Sequence, residues 1–141
     1  EGEPDNLWPL PADKSEMLRR SIYLLNKRSV RLPMLANFDQ PDAMTSCAIR
    51  PTSTHALQAL SLLNSSFMNE QASALARRLE TDCGGRASGA GCAVSRAYEL
   101  ALGRKARPAE QKMASDFLRG GNTLGDFCLA LLNRNEFVYL P

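Results

Sequence analysis

His55 is the only histidine in the chain, so any acid/base chemistry that needs an imidazole near neutral pH must use it. It follows Ser53 and Thr54 at the start of an apolar run, and neighbours in sequence do not by themselves make a nucleophile, a base and an orienting acid. No G-x-S-x-G elbow presents a serine. His55 is therefore the one candidate catalytic group, and a structural histidine in a first helical turn is the expected reading. Asp39 and Asp42, within Phe38-Asp39-Gln40-Pro41-Asp42, place two carboxylates at turn spacing. Calcium takes roughly six to eight oxygens, and the EF-hand pattern is absent, so turn-forming aspartates are expected, with a metal site as the alternative.

Glycines from Gly84 to Gly91 could cradle an anion through backbone N–H groups. A dinucleotide fingerprint starting at Gly89 would need glycine where Val94 stands, and no strand pattern precedes it, so a flexible loop is expected. The four cysteines contain neither a C-x-x-C pair nor a haem-attachment signature, which argues against zinc and c-type haem; no cofactor is expected. Cys83 and Cys92 flank the glycine loop and are either a disulfide or two free thiols. In an oxidising compartment a bridge there would restrain the open chain by roughly 2–3 kcal/mol. Cys128, in an apolar helical pattern, reads as a buried free cysteine, and Cys47 lies in a turn-rich segment.

Arg19, Arg20, Lys27, Arg28 and Arg31, with Tyr23 among them, form the basic concentration of the chain. They would suit an acidic partner, an anionic glycan or a membrane surface through salt-screened contacts. A solvated face, or ion pairs to Glu16, Asp39 or Asp42, is the plainer expectation. Asn64-Ser65-Ser66 matches a glycosylation sequon but reads first as a helix cap.

The elements that would carry these residues are helical. Leu18, Ile22 and Leu25 fall at i, i+4, i+7, predicting a helix over 15–28 capped by Ser15, with a strand as its rival. An extended stretch to Pro33 follows, then a turn through Asp42 after a single helical turn starting at Pro33. Thr52, Ser53 and Thr54 are N-cap candidates for a helix from His55 to Leu63 that is apolar almost all round and so expected to be buried. Met68, Ala72, Leu75 and Leu79 predict an amphipathic helix over 67–81. Val94, Ala97, Tyr98 and Ala101 predict another, closed by Gly103. Pro108 with Glu110 starts a further helix, with Met113 and Phe117 on its inner face and Gly120-Gly121 at its end. Thr123 caps the last, to about Asn133, and Phe137 to Leu140 runs out as a docked apolar tail.

The expected fold is thus all-α, an irregular bundle of five to six helices with short connections, formed by residues 15–141 after an extended segment over 1–14. A chain of 141 residues, 44% apolar and 23% charged, has the globular composition to bury one core. Seventeen basic and fifteen acidic residues leave +2, too little for a global nucleic-acid or membrane footprint. Phe127 to Leu132, the longest apolar stretch, is far shorter than the roughly 20 residues that span a bilayer. The start at Glu1, with Pro4, Trp8, Pro9 and Pro11 following, reads as that of a processed product or an excised piece.

Several stretches together resemble a known family. They are Arg19-Arg20-Ser21-Ile22-Tyr23-Leu24, Lys27-Arg28-Ser29-Val30, Phe38-Asp39-Gln40-Pro41-Asp42, and Thr54-His55-Ala56-Leu57-Gln58-Ala59-Leu60 running into Leu62-Leu63-Asn64. Arg96-Ala97-Tyr98 with Leu102-Gly103-Arg104, and the close Leu131-Leu132-Asn133-Arg134-Asn135-Glu136-Phe137-Val138-Tyr139, complete the set. In this order they resemble the C-terminal half of the planctomycete-type domain of unknown function catalogued as number 1553. The resemblance implies large exported proteins, periplasmic or extracellular, often joined to an N-terminal c-type cytochrome domain. It carries no established reaction.

The expectation is a non-catalytic interaction or structural module of a larger exported protein or assembly. Its partner would be another polypeptide and not a nucleic acid, with peripheral membrane association left open. The alternatives are half of an enzyme of exported polysaccharide or redox metabolism, using His55, Asp39, Asp42 and the basic cluster, or a peripheral subunit of a membrane electron-transfer complex.

Overall fold

Local side-chain chemistry sets most helix boundaries in this chain. Ser65 breaks the backbone with extended angles and accepts the Met68 N–H on its Oγ, so one helix ends at Asn64 and the next begins at Ser66. Thr123 and Asp126 make a reciprocal capping box: Thr123 Oγ1 accepts the Asp126 N–H at 3.1 Å, and Asp126 Oδ2 accepts the Thr123 N–H at 2.9 Å. Pro108 stands in a first turn, where its missing N–H would have had no helical partner. Gly103 has φ +66°, and its N–H closes the preceding helix on the Glu99 carbonyl. A side chain there would be strained.

The computed structural model of the protein describes residues 11–28, 30–49, 53–84 and 90–139. The expected extended segment before residue 11, the cap candidate Thr52, most of the glycine loop (85–89) and the tail residue Leu140 lie outside them. Among the described residues the chain is all-α, with no strand. In chain order the helices are α1 (Pro33–Asn37), α2 (Ala56–Asn64), α3 (Ser66–Asp82), α4 (Ala90–Leu102), α5 (Pro108–Arg119), α6 (Leu124–Leu132) and α7 (Asn135–Val138). None is long and apolar enough to cross a membrane.

The chain divides into two compact units, Glu1–Thr52 and Ser53–Pro141. In the second, α3 packs most extensively on α6, and α4 lies against α3, α5 and α6. The division of labour is by size. Helices α3 and α4 bury Ala72, Ala76, Ala93 and Ala97, small enough to admit a close neighbour, while α6 supplies Phe127, Leu131 and Leu132. Leu79 and Val94 are wholly enclosed. The tail is docked from the other end of the sequence: the Tyr139 hydroxyl donates to Gln58 Oε1, and Gln58 Nε2 donates to the Ser53 carbonyl at 3.0 Å. Gln58, 2% exposed, is the buried polar residue that ties the first turn of α2 to the end of α7.

Five expectations are corrected. Residues 15–28 do not form one helix: two 3-10 turns, Lys14–Leu18 and Ser21–Tyr23, are separated by extended backbone at Arg19 and Arg20. Leu18, Ile22 and Leu25 stay exposed, so the stripe has nothing to pack on, and a stripe without a partner does not hold a helix. Its cap is Asp13, whose carboxylate accepts the Ser15 N–H, and not Ser15. Helix α2 is present but not buried all round; Leu57, Leu60 and Leu63 are exposed, because only the side bearing Gln58 and Leu62 turns inward. The residue at its N-cap is His55, which makes no side-chain capping bond, in place of the residues before it. On α5 the buried residue is Ala114, whereas Met113 is 72% exposed and Phe117 lies partly open.

Cys83, at the end of α3, and Cys92, in the first turn of α4, are joined by a disulfide across the glycine loop. The short loop makes the bridge a staple between two core helices. Replacing both cysteines by serine is expected to lower unfolding stability by about 2–3 kcal/mol, read as an earlier urea midpoint. Unreduced wild type and variant unfolding together would show that the bridge restrains nothing.

Candidate functional site

The residues singled out by type do not assemble into a reaction centre among the described residues. His55 is exposed at the N-cap of α2. Asp39 adopts a left-handed φ of +57° after α1, and Asp42 accepts the Met44 N–H at 3.0 Å, so both shape the backbone at the turn. No group of three or more metal-ligating side chains occurs among the described residues. Of the basic cluster, Arg19 pairs with Glu16 at 3.2 Å, and Arg31 donates to the Gln40 carbonyl at 3.4 Å. Arg20 and Arg28 are exposed. Cys47 is an exposed free thiol, and Cys128 is fully enclosed, its pKa pushed up to about 12 by burial. It is a packing residue in the thiol form.

The densest polar chemistry lies elsewhere, where α4, α5 and α7 meet. Arg104, one residue beyond Gly103, uses every one of its five N–H donors. Nε and Nη2 grip both oxygens of Glu136 at 2.6 and 2.8 Å. Nη1 and Nη2 grip both oxygens of Glu110 at 2.8 and 2.9 Å, and Nη1 also reaches the Lys105 carbonyl at 3.1 Å. Glu110, in the first turn of α5, takes the Arg107 N–H on Oε2 at 2.9 Å, so one carboxylate both caps the helix and anchors the arginine. Arg134, just before α7, lies 3.3 Å from Glu110 Oε1 and donates from Nη1 to the Tyr98 hydroxyl at 3.1 Å. Both guanidiniums also face the Tyr98 ring, at 5.4 and 5.8 Å from its centroid.

The electrostatics follow from that geometry. Hydrogen bonds from Arg104 hold the Glu110 carboxyl down to about 2 against its partial burial, and the same arginine lowers Glu136. Arg104 is in turn raised further above its ordinary value, by Glu136 first and Glu110 second. Two cations and two anions balance, and each carboxylate is already gripped by a guanidinium. As chemistry the cluster is a clamp: neither glutamate is placed to take a proton near neutral pH.

A family model described as PSD1, protein of unknown function (DUF1553), matches residues 3–118. The chain belongs to this family. No curated protein matches the chain, and neither does any solved structure. The PSD1 match begins upstream of Arg19, where the sequence resemblance starts, and ends before the closing segment Leu131–Tyr139. Reading by residue type passed over the clamp, which contains no histidine, cysteine or glycine motif. Four of its five members, Tyr98, Arg104, Arg134 and Glu136, nevertheless stand inside the stretches that carry the resemblance, as do Gln58 and Tyr139 of the tail contact, whereas Glu110 stands outside them.

The depressed Glu110 carboxyl fixes the acid response. Its stabilising contribution is complete above the ordinary carboxyl value of 4.5 and is lost as pH falls toward its folded value of about 2. The melting temperature should be flat above that range and fall through it. In Glu110→Gln the starting melting temperature should be lower and the acid decline shallower; an unaltered acid decline would show that Glu110 does not carry it.

Proposed function

We propose that this PSD1 chain is a non-catalytic helical interaction module of a larger exported protein or assembly, packed against another polypeptide. One observation carries the reading. Leaving Lys14 and Met17 aside, none of the described residues of the first unit is buried, although that unit holds Leu18, Ile22, Leu25, Met44 and Ile49, the last 88% exposed. Ordering a backbone costs about 1–2 kcal/mol per residue, and turns held by a few exposed hydrogen bonds do not offset it without apolar burial. A segment of this kind acquires its buried surface from a partner. The exposed side of α2, with Leu57, Leu60 and Leu63, extends the apolar surface of the second unit.

Export is supported by the Cys83–Cys92 disulfide, since such bridges persist in oxidising compartments. Protein drawn from its native source and alkylated in denaturant before any reduction should carry label on Cys47 and Cys128 and none on Cys83 or Cys92. Four labelled cysteines would place the chain in a reducing compartment.

The partner is tested by placing a photo-crosslinking amino acid at Ile22, at Leu60 or at the exposed polar position Arg77, in the protein made in its native host. Crosslinked polypeptide is expected from the first two positions and not from the third. A lone 15.5 kDa species at all three would sink the interaction reading.

A further inference from the structure

Beside the clamp, between α5 and α6, lies a cleft of about 310 Å³. Its walls are apolar: Met113, Ala114, Phe117, Phe127 and Leu131. Its polar end is formed by Tyr98, Glu110 and Arg134, and the donors and acceptors there are unequal.

Glu110 has no acceptor capacity left for a ligand. Oε2 receives Arg104 and the Arg107 N–H, and Oε1 receives Arg104 and lies against Arg134. Its charge is matched by Arg104 from the side away from the cleft, since Arg104 does not line it. Arg134 and Tyr98 are differently placed. The Tyr98 hydroxyl accepts from Arg134, and among the described residues nothing accepts its own hydrogen, although the residue is only 4% exposed. Arg134 Nε and the second hydrogen of Nη1 likewise have no protein acceptor among the described residues. Tyr98 and the half-exposed Arg134 line the cleft, so these hydrogens are available to an acceptor bound there. The polar end therefore presents donors only, arranged around a guanidinium whose planar fork suits a carboxylate.

The walls set the rest of the ligand. A volume near the lower bound of small-molecule sites, about 300 Å³, accommodates one aromatic or branched body and little more. A dianion would set a second negative charge beside Glu110, which favours a single negative charge. We propose that this cleft binds a small apolar monocarboxylate, its hydrocarbon body between Met113, Phe117 and Phe127 and its carboxylate on Arg134 and the Tyr98 hydroxyl. The site is independent of the apolar surface of the first unit and of the interaction reading built on it.

The test titrates the 141-residue chain with 3-phenylpropanoate and with its uncharged amide, following backbone amide resonances. The acid should shift Ala114, Phe117 and Leu131 saturably, and the amide should bind at least tenfold more weakly. Met113→Glu puts a negative charge at the exposed mouth without touching the core; it should weaken the acid at least tenfold and leave the melting temperature in place. Tyr98→Phe should weaken the acid several-fold and leave the amide nearly unaffected, a difference that a packing defect alone would not produce. A short peptide ending in phenylalanine separates the sources of the carboxylate: tighter binding than the free acid assigns the cleft to a polypeptide C-terminus, weaker binding to a free acid. Equal binding of acid and amide, shifts confined to residues away from the cleft, or no saturable shift with any probe would overturn the proposal.

Discussion

The grip of Arg104 on two carboxylates is the constraint on which the ends of three helices depend. Glu110 belongs to the start of α5 and Glu136 to α7, and the arginine that holds them leaves the chain at the turn after α4. Gly103 makes that possible: its positive φ turns the backbone sharply enough for the next side chain to face both partners. Paired charges at the half-exposed rim of a protein add little net free energy singly. A bidentate network with every donor used is better understood as fixing geometry, because alternative placements of α5 or α7 would strand a guanidinium or a carboxylate.

Apolar burial gives the second unit its cohesion, and it is distributed unevenly. Alanines on α3 and α4 bring backbones close, while α6 contributes bulk. Truncating an enclosed side chain such as Leu79 in a packing of this type costs about 2–5 kcal/mol. Among the described residues the first unit shows no such enclosed side chain. It is organised by Asp13, Asp42 and Gln40, whose hydrogen bonds shape turns but remove little apolar area from water.

What could be read in the sequence divides along the same line. Caps are local, so Ser65, Pro108, Thr123 and Gly103 announced their roles through neighbours three or four residues away. Burial is not local. The stripe Leu18, Ile22, Leu25 has helical spacing but no surface to meet, and the apolar circumference of α2 did not say which side had a neighbour. The clamp joins residues 32 positions apart, a distance over which residue type and spacing carry no signal. The stretches that carry the resemblance contain four of its members and not Glu110, and nothing in them distinguishes an arginine that grips two helices from one that faces water. Gln58 was hidden in the same way, a polar residue in an apolar run whose partner Tyr139 lies 81 positions further on.

In the open chain both thiols outside the bridge can compete for disulfide exchange, Cys47 with Cys83 and Cys128 with Cys92, since the burial of Cys128 belongs to the folded state. Cys128 stands as far beyond Cys92 as Cys47 stands before Cys83. Either separation is roughly four times that between Cys83 and Cys92. Two doublings of loop length cost about 1 kcal/mol in closure entropy. Before any helix has docked, chain statistics alone therefore favour the short loop by nearly an order of magnitude. Contour length thus favours the Cys83–Cys92 pairing already in the open chain, where a bridge would hold the ends of α3 and α4 near one another ahead of their packing.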